Sequence, residues 1–178
     1  RPARRPEEGQ PIGNGRMGTL VWTEPGALRF QLNRADVLAV DRKHRGPQMQ
    51  PPDYCGGCAA VSVEVGGDAF HAGPGFRQRL SLHAAECVLA GGGIRARCFV
   101  SSTTDVLALE LEDRRAQPRP LRVTLSMWRD PEVRSGEHVA RHEFRAASGV
   151  ASVVQEFREG QFYCGSAVAV ALPGAGRA

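Results

Sequence analysis

Apolar and polar residues alternate with a period of two along most of the chain. Ala59, Val61, Val63 and Val65 alternate with Ala60, Ser62 and Glu64, and Leu121, Val123, Leu125 and Met127 alternate with Arg122, Thr124 and Ser126. Successive side chains of a strand point to opposite faces, so each run predicts a strand with one buried face. The same pattern sets Leu80 and Leu82 against Arg79, Ser81 and His83, and Leu107, Leu109 and Leu111 against Ala108, Glu110 and Glu112. Further strands are expected near Met17 to Trp22, Ala27 to Asn33, Ile94 to Val100, Val139 to Phe144, Val150 to Phe157 and Phe162 to Ala171. No segment sustains the i, i+3, i+4, i+7 stripe of a helix. Turn-forming groups such as Gly66-Gly67-Asp68, Gly73-Pro74-Gly75, Gly91-Gly92-Gly93 and Ser148-Gly149 separate the runs. About ten or more short strands at this spacing predict an all-β fold, a two-sheet antiparallel β-sandwich.

One register follows from the turn chemistry. A two-residue turn at Gly92-Gly93 pairs Gly91 with Ile94, and counting outward places Cys87 opposite Cys98. Cys87 and Leu89 then share an apolar face with Ala96 and Cys98, while Val88 and Ala90 lie with Arg97 and Arg95 on the wetter side. Side-by-side burial of the two thiols is the expectation, and a disulfide between them is an alternative in a secreted domain. Between Val40 and Cys58 the alternation fails, with Asp41-Arg-Lys-His-Arg-Gly, Pro47, Pro51, Pro52 and two adjacent glycines. A loop of that length is expected to be functional or to pack on another surface.

The 178 residues, 42% of them hydrophobic, suit one globular β-sandwich domain over residues 1–178. The formal charge is +4, but the basic residues are Arg except Lys43, and the densest internal group, Arg114, Arg115 and Arg119, has no aromatic neighbour. Nucleic-acid binding would cluster basic residues among stacking platforms, so no nucleic-acid partner is expected. No apolar run reaches the roughly 20 residues of a membrane span. The longest, Ser166 to Leu172, stops at Pro173. The chain opens on Arg1 without a charged-then-apolar leader, as expected of a mature product or an excised piece of a longer protein.

Several motifs lose to plainer readings. Gly13-Asn-Gly-Arg-Met-Gly18 spells G-x-G-x-x-G, with Asp36 downstream, but a dinucleotide site needs a strand before the glycines and a helix after them. Here Arg and Pro precede and strand-like Thr19 to Trp22 follows, so the glycines are expected to make a turn feeding a strand. Cys55-Gly-Gly-Cys58 supplies only half a zinc shell, and Cys87, Cys98 and Cys164 are scattered, so no metal is expected and the pair reads as a loop pair or a disulfide. His138 and His142 stand about 13 Å apart on a strand and make no zinc face there. Cys164-Gly-Ser opens like a papain-type nucleophile signature, whose His and Asn would lie far downstream. No cofactor is expected.

A more specific signal covers most of the chain. Pro11-Ile-Gly-Asn-Gly-Arg-Met-Gly-Thr-Leu-Val-Trp22, followed by Phe30-Gln-Leu-Asn-Arg-Ala-Asp-Val37, resembles the N-terminal signature of α-L-fucosidase-like glycoside hydrolases, and the chain's two asparagines, Asn14 and Asn33, both fall in it. Gln78-Arg-Leu-Ser-Leu, Arg95 to Ser102 and Asp105 to Glu110 resemble that family's repeated strands, and Gln155 to Ala169 is similar to a subgroup of uncharacterised N-terminal domains attached to such hydrolases. The resemblance implies a large β-sandwich of the super-sandwich type at the N-terminus of a longer hydrolase, followed by a linker and an α/α barrel holding the general acid and base. Inverting hydrolysis needs two carboxyl groups across a sugar, one with a raised pKa. Asp36, Asp41, Asp53, Glu110, Glu112, Asp113 and Glu137 are present, but no spacing selects a pair, so no catalytic residue is assigned. Val37 and Leu38 stand where the family pattern favours Trp, which removes an aromatic platform from that place.

Two main readings follow. In the first, the chain is a non-catalytic β-sandwich of a secreted glycoside hydrolase, extracellular or periplasmic, docking its own downstream catalytic domain. Asn14, Arg16, Asn33 and Asp36 are then its candidate interface or pocket-rim residues. In the second, it is a stand-alone carbohydrate-binding module using Trp22, Tyr54, Trp128 or Tyr163, with Trp22 expected in the sandwich core. A third, an Arg-rich module for acidic polymers, rests on net charge alone.

Overall fold

A computed structural model describes residues 6–40, 53–55 and 57–173. After a 3₁₀ turn at Pro6–Glu8 come the strands β1 Gln10–Gly13, β2 Met17–Glu24, β3 Ala27–Arg34, β4 Leu38–Val40 and β5 Asp53–Cys55. Next are β6 Ala59–Glu64, β7 Arg77–Ser81, β8 Glu86–Gly91, β9 Ile94–Val100 and β10 Leu107–Asp113. The last are β11 Arg122–Ser126, β12 Glu132–Ser135, β13 His138–Ala147, β14 Val150–Glu159 and β15 Phe162–Ala171. No α-helix occurs among the described residues. The protein is the all-β antiparallel sandwich that the alternation predicts. Its strands divide among more sheets than two: β1-β2-β3-β6-β11, β10-β9-β8-β7, β12-β13-β14-β15 and the small pair β4-β5.

The chain forms two units, residues 1–32 with 60–124 and residues 33–59 with 125–178. In the first, Val21, Leu28 and Phe30 are buried along with Leu89, Ala96 and Cys98, and Phe70 meets Phe76 edge-to-face at 6.3 Å. Burying such side chains stabilises by about 1.5–3 kcal/mol each before the cost of ordering them. In the second unit β4 packs on β14 and β15, over a face where Ala140, Val153 and Phe157 are buried.

The Gly92-Gly93 hairpin has the expected register, Gly91 opposite Ile94 and Cys87 opposite Cys98. Gly92 and Gly93 take φ of 51° and 83°, the left-handed pair that a two-residue turn of matching twist requires. Cys87, Leu89, Ala96 and Cys98 are each fully buried. Both thiols are free. Counted from the turn, they occupy a hydrogen-bonded pair, where facing side chains stand farther apart than at the alternate sites. The Cys98 thiol donates to the Cys87 carbonyl at 3.5 Å and Cys87 donates to Gln10 Oε1 at 3.1 Å. The hydrogen bond with the Cys87 sulfur, helped by burial, holds the Cys98 thiol far above its ordinary pKa.

Three expectations are corrected. The strand through Leu80 ends at Ser81, and Leu82 is 84% exposed in a turn. No Gly or Pro marks that turn; Ala85 takes φ of 51°, and Ser81 Oγ accepts from the Ala84 amide at 3.3 Å. The irregular region contains β5, which pairs with β4 through Leu38 opposite Cys55 and Val40 opposite Asp53. Asp41, Pro47, Pro51 and Pro52, and the side chains of Asp53, Tyr54 and Cys55, lie outside the described residues. Trp22 is half-buried rather than a core residue.

Glycine substitutions separate backbone strain from packing. Gly149 has φ of 76° with open space around it, whereas a Cβ on Gly92 would sit 2.6 Å from the Ala69 Cα. Gly149→Ala is expected to cost about 1 kcal/mol of left-handed strain. Gly92→Ala is expected to cost about 1–3 kcal/mol more, from the clash. Urea denaturation of the two variants checks the order.

Candidate functional site

The signature segment folds into the β1–β2 hairpin, with Gly13 opposite Gly18 and four residues at its tip. Gly15 takes φ of 89°, and a Cβ on Gly13 would lie 2.8 Å from the Met17 carbonyl oxygen. Asn14 closes the loop from within. Its amide N–H donates to Met17 O at 3.0 Å, and its Oδ1 accepts from the backbone N–H of Arg16 at 2.9 Å and Met17 at 2.8 Å. Its Nδ2 then donates outward to Ser101 O at 3.0 Å and Thr104 O at 3.2 Å. One side chain therefore orders the tip and fastens it to the β9–β10 loop, the role expected of an Asn in a turn. Arg16 Nε donates to Asp105 Oδ1 at 2.9 Å and leaves the Arg16 side chain 56% exposed.

Asn33 and Asp36 belong to the second unit, Asn14 and Arg16 to the first. The Asn33 side chain makes no hydrogen bond to loop backbone among the described residues. Its Oδ1 instead lies 3.2 Å from where a Cβ on Gly57 would stand. Asp36 accepts Arg34 Nε at 2.8 Å and Nη2 at 2.6 Å, and its carbonyl takes the Cys164 thiol at 3.7 Å. Of Val37 and Leu38, where the resemblance implied an aromatic residue, Val37 is buried at 3% exposure and Leu38 is 39% exposed.

The second unit also builds a polar centre that sequence reasoning missed. Gln155 is 2% exposed, on the same strand face as Val153 and Phe157. Its Nε2 donates to Gly57 O at 2.9 Å and Ser166 Oγ at 2.7 Å, and its Oε1 accepts from Arg129. The Arg129 guanidinium stacks over the Phe157 ring at 4.7 Å. Beside it Trp128 lies across Gly57, whose Cβ would fall 2.0 Å from the indole Cη2. Trp128 as a whole stays 51% exposed. A polar residue in a core register was the only sequence signal for this centre, since its partners are distant in the chain.

Arginine neighbours hold Asp113 and Glu112 ionised. Asp113 accepts Arg115 Nε at 2.8 Å, Nη2 at 2.5 Å and the Arg115 amide at 3.0 Å, and its pKa falls to about 2. Arg115 reaches on to Val65 O at 2.8 Å and Gly66 O at 3.0 Å, tying the end of β10 to that turn. Arg114 lowers Glu112 through a hydrogen bond, and Glu110 pairs with Arg97 at 3.2 Å. A general acid needs the opposite shift. Glu137 is exposed and engaged, and Asp41 lies outside the described residues. His138 is buried 3.9 Å from Glu159, while half-buried His142 stacks edge-to-face on Phe144 and is lowered by burial. Cys58 is free and buried, and burial raises its thiol. No group of three or more metal-ligating side chains forms among the described residues.

Fold and geometry thus define an antiparallel β-sandwich protein with an anchored hairpin tip and a half-exposed tryptophan. The chain belongs to the family described as Domain of unknown function (DUF5703), whose model matches residues 1–161. No curated protein matches it.

Asn14→Ala is expected to lower stability by about 1–2 kcal/mol, because it leaves loop donors and acceptors without their partners. Denaturant titration checks this. The depressed Asp113 pKa stabilises the fold fully above the unfolded value near 3.8, and that contribution is lost as pH falls toward about 2. Asp113→Asn is expected to flatten the acid limb of the stability profile in this window, measured by thermal unfolding at each pH.

Proposed function

We propose that this chain is the non-catalytic N-terminal β-sandwich of a secreted, α-L-fucosidase-like glycoside hydrolase, docking a downstream α/α barrel through its loops. The observation that carries the reading is the hairpin tip. The segment that resembles the family signature is also the most heavily anchored loop described, with Asn14 bonded on both sides and Arg16 half-exposed on Asp105. A loop built this way presents a cation in a fixed place, as a domain interface or pocket rim requires. The Arg-paired carboxylates add support, since guanidinium neighbours disfavour the protonated acid that glycoside cleavage needs.

Trp128 favours a second reading, carbohydrate binding. The ring of this exposed residue, held by Gly57 near the Asn33 amide oxygen, is an apolar face with a planar polar neighbour. Pull-down on insoluble polysaccharides, with Trp128→Ala as the control, separates this reading from the first.

The first reading predicts that the purified chain turns over no aryl glycoside and binds a separately expressed downstream segment of its gene. Arg16→Glu is expected to weaken that association about tenfold or more, a loss of about 1.4 kcal/mol. Turnover by the isolated chain that is lost on mutating one of its own carboxylates would overturn the proposal.

A further inference from the structure

Each sheet must end somewhere, and an exposed strand edge offers unpaired N–H and C=O groups to any other strand. Most edges here are blunted. Pro11 interrupts β1, Arg77 and Arg79 charge β7, Glu110, Glu112 and Asp113 charge β10, and Arg122 opens β11 just after Pro118 and Pro120. The pair β4-β5 has only three residues in each strand. In the second unit β12 is four residues long, follows Pro131, and carries Glu132 bonded to both Arg134 and Arg141.

The opposite edge of that same sheet has none of these devices. β15 runs ten residues, Phe-Tyr-Cys-Gly-Ser-Ala-Val-Ala-Val-Ala, without a charge or a proline. It pairs with β14 along its whole length, and no strand lies beyond it among the described residues. Glu159 pairs with Phe162 across a two-residue turn. Antiparallel bonding alternates outward from such a turn, so Phe162 and every second residue after it bond to β14. Tyr163, Gly165, Ala167, Ala169 and Ala171 therefore direct their N–H and C=O groups to the open edge, and all five are exposed.

We propose that β15 is a self-association edge, which pairs antiparallel with β15 of a second copy across a two-fold axis at Ala167. Strands related by a two-fold perpendicular to the sheet keep their faces, so a residue must sit on the axis and pair with itself. With Ala167 there, Gly165 meets Ala169 and Tyr163 meets Ala171 of the other protomer, and all five outward-facing residues bond. An axis at Ser166 would leave Ala171 unmatched. β15 itself carries no charge into the seam, the nearest being the Arg158 guanidinium of β14 over the Tyr163 ring at 5.1 Å, and small side chains meet along its middle. Tyr163, 60% exposed, then lies beside Ala171 of the other copy at both ends of the pair. The result is a continuous eight-stranded sheet. A second copy fits this edge better than a strand of mixed charge, for which β15 offers no complement.

Sedimentation equilibrium of the 178-residue chain across a wide concentration range tests the proposal. The expected result is a reversible species of twice 19.2 kDa. Ala167→Lys puts two like charges opposite each other on the axis and is expected to weaken association about tenfold or more. Its unfolding should stay unchanged, because Ala167 is exposed. Ala147→Lys, on the same sheet but away from the edge, should dimerise as the parent does. In a Cys164→Ser background, Ala167→Cys should be captured as a covalent dimer by a short bis-maleimide. A monomer at all concentrations, whether the edge is bare or takes a different strand, would overturn the proposal, as would undiminished association of Ala167→Lys.

Discussion

Among the described residues, four hairpins turn on two residues of which at least one has positive φ: Gly92 and Gly93, Gly136, Ser148 and Gly149, and Gly160. A left-handed residue at that place matches the twist of the flanking strands and admits no slack in the pairing. Since side chains alternate along a strand, a slip of one residue would expose every buried group and bury every exposed one. The turns therefore decide that Cys87 and Cys98 meet in the core, that Gln155 faces inward with Phe157, and that the odd-numbered backbone groups of β15 face away from β14.

This constraint also explains which parts of the fold were legible in the sequence. The β8–β9 register followed from Gly91-Gly92-Gly93 because the turn chemistry and the apolar alternation agree there, and the ranges Ile94–Val100 and Phe162–Ala171 emerged with the expected bounds. The turn after β7 was illegible because Leu82 and Ala85 carry no turn signal, and Leu82 continued the apolar alternation. β1 and β12 were missed because each is four residues long and interrupted by proline or charge. Distribution of the strands over three larger sheets depends on long-range packing that no local pattern encodes.

The candidate site divides in the same way. The turn at Gly13 to Gly18 was legible because the hairpin loop is local and Asn14 acts on neighbouring amides. Asn33 and Asp36 were selected by resemblance alone, and in the structure one lies beside Gly57 while the other pairs with Arg34. Gln155 was not selected, since its role depends on Gly57, Arg129 and Ser166, all far from it or on another strand. What unites these features is a scaffold in which several carboxylates, Asp36, Asp105, Glu112 and Asp113 among them, are paired with arginines.

Amide hydrogen exchange along β15, read residue by residue by NMR in dilute protein, bears most directly on the turn-fixed register. Slow exchange at Cys164, Ser166, Val168 and Val170, with fast exchange at Tyr163, Gly165, Ala167, Ala169 and Ala171 that slows only as concentration rises, is the expected result. The opposite alternation, or uniform fast exchange along the strand, would contradict the register and the open edge that follows from it.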